Sequence, residues 1–507
     1  MSTLSDLLPA GSGGKNVDFV ADGAINNAQT VGLKTDGTVE AIGTAPNSTP
    51  FTGPQTTWAA PVTFNRARSL VYIGNNQVLL FYADANNSYY GTVVLGNVSG
   101  NTITWDVQSP PVTFESTAIL YNTDYNMDSV LHEALNLTIC AYIATSSNDA
   151  FMRAFSVSGN TITVGAQHYF NGSGVQEIAL CYGEISGTAR IWVNYIDRLS
   201  GVDQGIANCV TINNVNSITN GNNSTYKSDT TSNPSICFNK LQNMILLTYR
   251  DNANSSYGRA KVLISGTNAT PQFGSQSTLV SGNTTQMTIV FDNNIQQAII
   301  AYVNNTTGNA AINKITYVST NSLTAGTEEV FSTTAAGVTG VNIAVNESKT
   351  ISQAQGMVVY SATVGGVYKG FFAMYNGNGG YNPNLDTPVQ FLPNVPYYTQ
   401  VAWGGDNNYA VTYTATIGST WGSGSNGFNF SNLSTFIGIA DAAISDTATG
   451  SVTIKGGIAT NASLPTLTPN SVYYVQGDGT ISTTSTSPAI RIGKALSSTS
   501  INLEFNS

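Results

Sequence analysis

A short apolar run that ends in tyrosine recurs along the middle of the chain. The seven runs end at Tyr82, Tyr142, Tyr195, Tyr249, Tyr302, Tyr360 and Tyr413. The intervals between these tyrosines are 60, 53, 54, 53, 58 and 53 residues. A period of this size is typical of repeat architectures in which each repeat is one supersecondary unit. The pattern therefore predicts seven structurally equivalent units.

Each tyrosine has similar surroundings. About ten residues before it lies another apolar run, such as SLVYI at 69–73 or SICF at 235–238, and turn residues such as Gly74-Asn75-Asn76 separate the two runs, which predicts a β-hairpin. An alternating run follows the tyrosine, and then a more polar run, which SGNTIT introduces at 99–104 and again at 158–163. Four short antiparallel strands per repeat predict a propeller blade. The fold class we predict is all-β, with a seven-bladed β-propeller at residues 50–431.

The two ends of the repeat array predict how the ring closes. The fourth run of the first repeat, TWDVQSPPVTF (104–114), resembles TTWAAPVTF (56–64), which precedes that repeat. The last repeat ends after its third run, GSNGFNF (424–430). Because an open ring leaves two unpaired strand edges, we predict that residues 56–64 supply the outer strand of the seventh blade.

The segments outside the repeats resemble each other. FVADGAIN (19–26) is similar to GIADAAIS (438–445), and LKTDGTVEA (33–41) is similar to VQGDGTIST (475–483). Asp-Gly between alternating residues is a hairpin signal. We predict that residues 16–49 and 432–507 form one small split β domain into which the propeller is inserted, and two independent β tails are the alternative. The Gly/Ser-rich residues 1–15 are predicted to form an extended arm.

These terminal segments also resemble a known group of proteins. GGKNVDFVADGAI (13–25) and VGLKTDGTVEAIG (31–43), with FIGIADAAISDTATGSVTIKGG (436–457) and LTPNSVYYVQGDGTIST (467–483), are similar to virion proteins of tailed phages that infect cyanobacteria and other marine bacteria. The resemblance covers the two ends and not the propeller. It implies a virion component, in a tail fibre or on the capsid surface, that is assembled in the host cytoplasm. It carries over no catalytic residue.

The composition excludes several functional classes. Charged residues make up 9% of the 507 residues, and the formal net charge is −10. The 18 lysines and arginines form no basic run, so we predict no nucleic-acid binding and no polybasic membrane contact. The N-terminal segment lacks the features of a signal peptide. No apolar stretch approaches the ~20 residues of a membrane helix, so membrane insertion is not predicted either.

Cysteine and histidine usage gives no support for a metal or cofactor. Cys140, Cys181 and Cys237 lie in apolar strand-like runs, and with Cys209 they form no CxxC pair. We interpret them as buried thiols of a chain that folds in a reducing cytosol, with a disulfide or metal site as the alternative. His132 and His168 show no ligand spacing, and no calcium-type DxDxDG loop is present.

An enzymatic function finds weak support. Asp84, Asp197 and Asp251 each follow a repeat tyrosine by two residues, which places them on one face of the predicted ring, although each could simply cap its turn. Neither histidine has a GxSxG partner. Sialidase-like propellers share SxDxGxTW turns and an arginine cluster, whereas this chain has no such turn and eight scattered arginines. We predict no enzymatic activity, with a glycan-cleaving hydrolase as the remaining enzyme alternative.

Aromatic residues in the predicted loops point to binding instead. Loops between second and third strands share one propeller face with the loops that enter each blade. The tyrosines on that face are Tyr89 and Tyr90 in NNSYYG, Tyr257 in NSSYG, and Tyr121, Tyr125 and Tyr226 in two long entering loops. Flat aromatic rings beside amides and hydroxyls suit sugar recognition. Ordinary solvated loops are the alternative.

Together these observations predict a virion structural protein, a tail fibre or tail-associated adhesion protein. Its split β domain and N-terminal arm are expected to bind other virion proteins. Its propeller is expected to present loops to a host surface glycan or outer-membrane receptor. A capsid-surface decoration protein is the alternative. Homo-oligomerisation is left open, because the sequence has no heptad pattern that would enforce it.

Overall fold

The predicted all-β class is confirmed. The computed structural model describes residues 15–34, 36–43, 51–52, 56, 68–99, 102–105, 111–121, 125–172, 174–185, 187–199, 201–265, 270–293, 295–319, 322–333, 337–345, 355–376, 384–385, 387–393, 396–403, 408–417, 420–429, 432–477, 479–485 and 489–504. In these ranges, helix is confined to three 3₁₀ turns, Ala85–Asn87, Glu133–Leu135 and Leu433–Thr435. No helix within them is long and apolar enough to cross a membrane.

Two compact units divide the chain. The terminal unit comprises residues 1–53, 99–102 and 428–507, and the ring unit comprises residues 54–98 and 103–427. The predicted domain limits at residues 50 and 431 lie outside the described residues, as does the predicted arm except for Lys15.

Seven antiparallel sheets, numbered 1 to 7 in chain order, correspond to the seven sequence repeats. Sheet 1 contains Arg68–Gly74, Gln77–Asp84, Tyr90–Ser99, Thr102–Trp105 and Val112–Ala118. Sheet 2 contains Met127–His132, Leu137–Ile143, Ala150–Ser158, Thr161–Val164 and His168–Asn171. Sheet 3 contains Val175–Ile185, Thr188–Leu199, Val202–Asn214, Ser217–Asn220 and Ser224–Lys227. Sheet 4 contains Thr231–Asn239, Met244–Asp251, Tyr257–Ser265, Pro271–Phe273 and Ser277–Val280.

The remaining three sheets complete the set. Sheet 5 contains Thr284–Asp292, Gln297–Asn304, Asn309–Ser319, Ser322–Ala325 and Glu329–Ser332. Sheet 6 contains Thr339–Val345, Gln355–Val364, Val367–Asn376, Asn384–Leu385 and Val389–Leu392. Sheet 7 contains Pro396–Trp403, Asn408–Ile417, Thr420–Asn429 and Phe51–Thr52. The first strand of each sheet, called its inner strand, contacts the inner strand of the next sheet, and that of sheet 7 contacts that of sheet 1. A cyclic order of small antiparallel sheets is typical of a β-propeller.

The outer strand of each sheet differs from the prediction of one continuous fourth strand. In sheets 1 to 6 it consists of two short strands that pair with different parts of the third strand. In sheet 2, for example, Thr161–Val164 pairs with residues 155–158, whereas His168–Asn171 pairs with residues 150–152. A loop interrupts the outer edge and leaves each half too short to be an extended template for pairing with other chains.

Ring closure involves a strand that precedes the first repeat, Phe51–Thr52, while the closing strand expected at 56–64 stays a prediction. Phe51–Thr52 pairs antiparallel with residues 428–429 at the end of the last strand of sheet 7. Of the predicted closing strand 56–64, only Thr56 is among the described residues. A strand from before the first sheet covers the outer edge of sheet 7, which would otherwise stay unpaired.

Six of the repeat tyrosines are core residues. Tyr82, Tyr142, Tyr195, Tyr249, Tyr302 and Tyr360 are at most 3% exposed. Their second strands are apolar on both sides because adjacent sheets cover both faces. Hydroxyl groups of three of them donate to side chains at the outer edges of the sheets, each at 2.7 Å: Tyr142 to Glu115 within an outer strand, and Tyr249 to Gln276 and Tyr302 to Glu328, each just before an outer strand.

The terminal unit contains a sheet built from both chain ends, called the shared sheet. Its strand order is Asn16–Val20, Thr449–Ile454, Phe436–Ala440, Thr30–Leu33 and Val39–Ala41. Strands from the two chain ends therefore pair with each other at two places, Asn16–Val20 with Thr449–Ile454 and Thr30–Leu33 with Phe436–Ala440. A parallel bridge between Ala21 and Val39 links the two edges of the sheet. A second sheet has the order Ile458–Thr460, Ser500–Leu503, Ala489–Ser497, Val472–Gln476 and Ile481–Ser482.

All four cysteines carry free thiols and are buried, as their positions in strands predict. Burial raises the pKa of Cys140, Cys181 and Cys237, so these thiols stay protonated at neutral pH.

Candidate ligand-binding site

A repeated irregularity of the inner strands shapes the centre of the ring. The inner strands of sheets 3 to 7 each contain a register shift close to their start. At this place Asn233, Gln286 and Gly340 adopt positive φ angles of 52°, 54° and 60°. Positive φ is uncommon for any residue other than glycine, and β-bulges of this kind redirect the side chains that follow.

Residues that follow the bulges in sheets 4 to 7, together with Asp128 of sheet 2, form a ring of polar groups. Five residues, here called the polar collar, line both a wider cavity of about 530 Å³ and a narrower one of about 90 Å³: Asp128, Ser235, Thr288, Asn342 and Gln400. Ala179 occupies the corresponding place in sheet 3. The collar therefore marks the boundary between two ends of one axial channel.

Hydrogen bonds link the collar to neighbouring sheets. Ser69 Oγ donates to Asp128 Oδ1 at 3.0 Å, and Ser235 Oγ accepts from the Ile289 backbone N–H at 3.0 Å. Asn342 Nδ2 donates to Gln400 Oε1 at 3.2 Å. Each bond joins one sheet to the next, so side chains supplement the packing between sheets.

Two carboxyl groups of the inner strands titrate close to neutrality. Removal from bulk water raises the pKa of Asp128 to about 6, although backbone N–H groups of Leu180 and Ser129 and the Ser69 hydroxyl oppose this rise. Removal from water likewise raises the pKa of Glu177 to about 7, opposed by the Asn233 backbone N–H. Each carboxyl group accepts a hydrogen bond from the next sheet, Asp128 from the Leu180 N–H and Glu177 from the Asn233 N–H.

The wider cavity ends in a set of aromatic rings, here called the aromatic mouth: Tyr72, Tyr182, Phe238, Phe291 and Trp403. They occupy equivalent positions near the end of five inner strands, where the hairpin to the second strand begins. All except Phe291 are half-exposed. The result is an opening lined mainly by flat apolar surfaces.

Further contacts order this opening. The rings of Tyr72 and Trp403 lie 5.0 Å apart at 56°, and His132 packs against Tyr182 at 4.9 Å. Glu133 and Lys240 form an exposed ion pair of 3.3 Å at the rim. Tilted ring pairs of this kind favour fixed orientations of the aromatic faces.

The structure brings together only part of the predicted tyrosine set. Tyr89 and Tyr121 stack with centroids 3.8 Å apart and planes 8° from parallel. Both are half-exposed, and the Ile119 N–H donates to the Tyr89 carbonyl at 3.0 Å. Tyr90 begins a strand opposite Asp84. Tyr125 lines the narrower cavity, and its carbonyl accepts from the Ile178 N–H at 2.7 Å.

The prediction that Tyr226 faces a ligand from a loop is wrong. Tyr226 lies in an outer strand of sheet 3 and is 4% exposed. Its ring packs near Tyr249 and Phe273 and lies flat over Gly205, where a Cβ would come within 2.3 Å of ring carbons. Tyr257 is half-exposed, with the Arg259 guanidinium 5.2 Å from its ring centroid.

The three predicted aspartates have separate structural roles. Asp84 Oδ1 accepts from the Asn86 N–H at 3.0 Å, so the turn-capping alternative holds for it. Asp197 is 4% exposed and accepts from Asn171 Nδ2 of sheet 2 at 2.8 Å. Burial raises the pKa of Asp197.

Asp251 is fully buried beside Lys227 of sheet 3, at 3.4 Å, and Arg259, at 3.6 Å. The prediction of ligand contact is wrong for Asp197 and Asp251, because neighbouring sheets enclose both carboxylates. In the described residues, no group of three or more His, Cys, Asp and Glu side chains is placed to hold a metal ion.

Sequence reasoning missed the aromatic mouth, although the signal was present. The first apolar run of five repeats contains an aromatic residue at its end, as in IALCY, SICF and QVAW. These residues looked like ordinary strand core. They line the channel because the inner strands of consecutive sheets contact one another in a ring, a relationship between distant residues that no single repeat shows.

No protein-family profile and no curated protein sequence matches the chain. A protein of unknown function from Dyadobacter fermentans is similar in structure at 11% identity, covering 75% of this chain and 99% of its own, with a TM-score of 0.44. A mutant of AofleA from Arthrobotrys oligospora shows 7% identity, 69% and 96% coverage and a TM-score of 0.42. The leech intramolecular trans-sialidase shows 9% identity, 75% and 70% coverage and a TM-score of 0.37. Likeness at this level assigns no function.

Proposed function

We propose that this chain is a virion attachment protein in which the ring unit is the binding head and the terminal unit is the anchor. The shared sheet carries this proposal. Both chain ends contribute strands to it, and N-terminal strands pair with C-terminal strands at two places, so both ends of the inserted ring lead back to one folded unit. A head connected through two chain segments suits a protein that must hold a particle to a surface.

The terminal segments also support the virion part of the proposal. Three of the segments that resemble tailed-phage virion proteins contain strands of the shared sheet, and the fourth, 467–483, contains Val472–Gln476 and Ile481–Ser482 of the second sheet. Partners in the particle would therefore contact this unit. A glycan or outer-membrane receptor on the host would contact the ring. The same anchor would serve a capsid-surface decoration protein, which differs in its location on the particle.

A glycan-cleaving hydrolase is less well supported. Such chemistry usually needs two carboxyl groups that flank the substrate. Asp197 and Asp251 are enclosed between sheets, and Asp84 caps a turn. The collar carboxylate Asp128 accepts hydrogen bonds from Ser69, Ser129 and Leu180, which indicates a structural role.

The attachment proposal can be tested with labelled full-length chain and intact host cells. We expect saturable binding that falls after mild periodate oxidation of the cell surface, which cleaves vicinal diols of glycans. Binding that survives periodate but not protease would identify a protein receptor. Absence of binding to every susceptible host strain would overturn the attachment function.

A further inference from the structure

We propose that the aromatic mouth binds a pyranose ring of an uncharged saccharide, with the polar collar contacting its hydroxyl groups. This inference rests on the proposed attachment function and names its site and ligand class. It places the ligand at the hairpin end of the channel, and not at the loop tyrosines that the sequence singled out.

The shape of the opening suits a flat ligand. Tyr72, Tyr182, Phe238 and Trp403 present half-exposed rings from four different sheets around one opening. The cavity behind them has a volume of about 530 Å³, within the range of about 300–1,000 Å³ that is typical of small-molecule sites. Aromatic faces provide rigid apolar area with little loss of conformational entropy on binding. The C–H face of a pyranose is flat and apolar, so it can stack on an aromatic ring.

Polar side chains lie beside the aromatic rings in the same cavity. Ser235, Thr288, Asn342 and Gln400 line the same cavity as the aromatic rings. Hydroxyl and amide groups both donate and accept hydrogen bonds. A ligand with apolar faces and a rim of hydroxyl groups fits such a lining, whereas a purely apolar ligand would offer no partner for the hydrogen-bonding capacity that the collar groups keep beyond their contacts with neighbouring sheets.

The charge of the cavity lining favours an uncharged ligand. The charged residues that line the wider cavity among the described residues are Asp128, Glu133 and Lys240. Glu133 and Lys240 pair with each other, and Asp128 accepts hydrogen bonds from three donors of the ring. No excess of positive charge faces the cavity, so an anionic sugar gains little there. The site therefore favours a neutral saccharide over an acidic one.

The experiment uses the full chain and the methyl glycosides of glucose, galactose, mannose and N-acetylglucosamine, with N-acetylneuraminic acid as the acidic comparator. Saturation-transfer NMR identifies the binders, and calorimetry measures their affinity. We expect at least one neutral glycoside to bind, and the acidic sugar to bind more weakly.

Variants then locate the site. We expect Tyr182→Ala and Phe238→Ala to weaken binding about tenfold or more, the size of a hot-spot truncation. Asn293→Trp, at a half-exposed turn residue that lines the cavity, should block the mouth without removing a core side chain. Tyr169→Ala is the matched control, because Tyr169 is 53% exposed and does not line the channel.

The outcomes separate the two proposals. Unchanged affinity in Asn293→Trp and Phe238→Ala, or loss only in Tyr121→Ala, overturns the aromatic mouth as the site. Failure of every neutral glycoside to bind, with cell attachment intact, also overturns this inference and leaves the attachment function standing. Sugar binding that Asn293→Trp abolishes, without any attachment to host cells, supports the site while overturning the attachment function.

Discussion

The Asp128 carboxylate in the inner strand of sheet 2 accepts a hydrogen bond of 2.7 Å from the Leu180 backbone N–H in the inner strand of sheet 3. Glu177 of sheet 3 makes the corresponding contact with the Asn233 N–H of sheet 4. Two carboxyl groups with raised pKa values therefore connect three consecutive sheets. This arrangement makes the cohesion of the ring dependent on pH.

The first prediction concerns that pH dependence. Because the folded-state pKa values of Asp128 and Glu177, about 6 and about 7, exceed those of unfolded chains, the folded state binds these protons more tightly. Their contribution to stability is present in full below about pH 4 and is lost as pH rises through the folded-state values. We expect the melting temperatures of Asp128→Asn and Glu177→Gln, measured relative to wild type, to increase as the pH is raised from 5 to 8. If calorimetry shows a constant difference in melting temperature across that range, the raised pKa values of the two carboxyl groups are contradicted.

The second prediction concerns the buried carboxylate of sheet 4. Asp251→Asn removes the negative charge that faces Lys227 and Arg259 between sheets 3 and 4. Breaking one partner of a buried pair leaves uncompensated charge, so we expect a loss of about 3 kcal/mol in unfolding free energy. Asp84→Asn is the control: asparagine caps a turn as well as aspartate does, so the change should stay within about 0.5 kcal/mol. Equal losses in the two variants would refute the burial argument.

The repeat architecture could be predicted from the sequence because each inner and second strand carries its own apolar run. Tyr82 to Tyr413 mark seven equivalent positions, and a period near 54 residues needs no knowledge of tertiary contacts. The division of the outer strand into two halves escaped prediction, because polar edge strands such as Thr161–Val164 and His168–Asn171 lack a strong pattern. Local signals set element type more firmly than element limits.

The candidate site was harder to predict for a different reason. Exposure of a tyrosine depends on what packs over it: Gly205 allows the ring of Tyr226 to lie against a strand, so a residue expected in a loop is buried. Tyr72 and Trp403 are 331 residues apart in sequence, yet their rings lie 5.0 Å apart because sheets 7 and 1 are neighbours in the ring. No local pattern encodes that proximity.

The third prediction follows from the burial of Tyr226. Tyr226→Ala removes a ring packed against Tyr249 and Phe273, and we expect a loss of about 3–5 kcal/mol in unfolding free energy. Tyr257→Ala removes a half-exposed ring in contact with Arg259, for which about 1 kcal/mol is expected. Thermal unfolding of both variants measures which loses more unfolding free energy. A larger loss for Tyr257→Ala than for Tyr226→Ala would contradict the burial of Tyr226.

The fourth prediction concerns the shared sheet. A Cβ at Gly438 would lie 2.2 Å from the Thr453 carbonyl oxygen, so Gly438→Val forces apart Phe436–Ala440 and Thr449–Ile454. These strands pair with Thr30–Leu33 and Asn16–Val20. We expect hydrogen exchange to rise in the N-terminal strands, about 400 residues away in sequence.

Exchange measured by mass spectrometry provides both the result and its control. Peptides from the second strand of sheet 3, Thr188–Leu199, belong to the ring unit and should keep their protection in Gly438→Val. Unchanged protection of residues 16–20 and 30–33 would contradict the pairing of N-terminal with C-terminal strands in the shared sheet.

Location on the virion decides whether the chain can serve as an attachment protein, and a cryo-EM map of intact virions measures that location. We expect density for a ring of seven sheets at the tail, with the terminal unit in contact with other virion proteins. Density on the capsid lattice would instead identify a decoration protein. Absence of the chain from the particle would rule out a virion role.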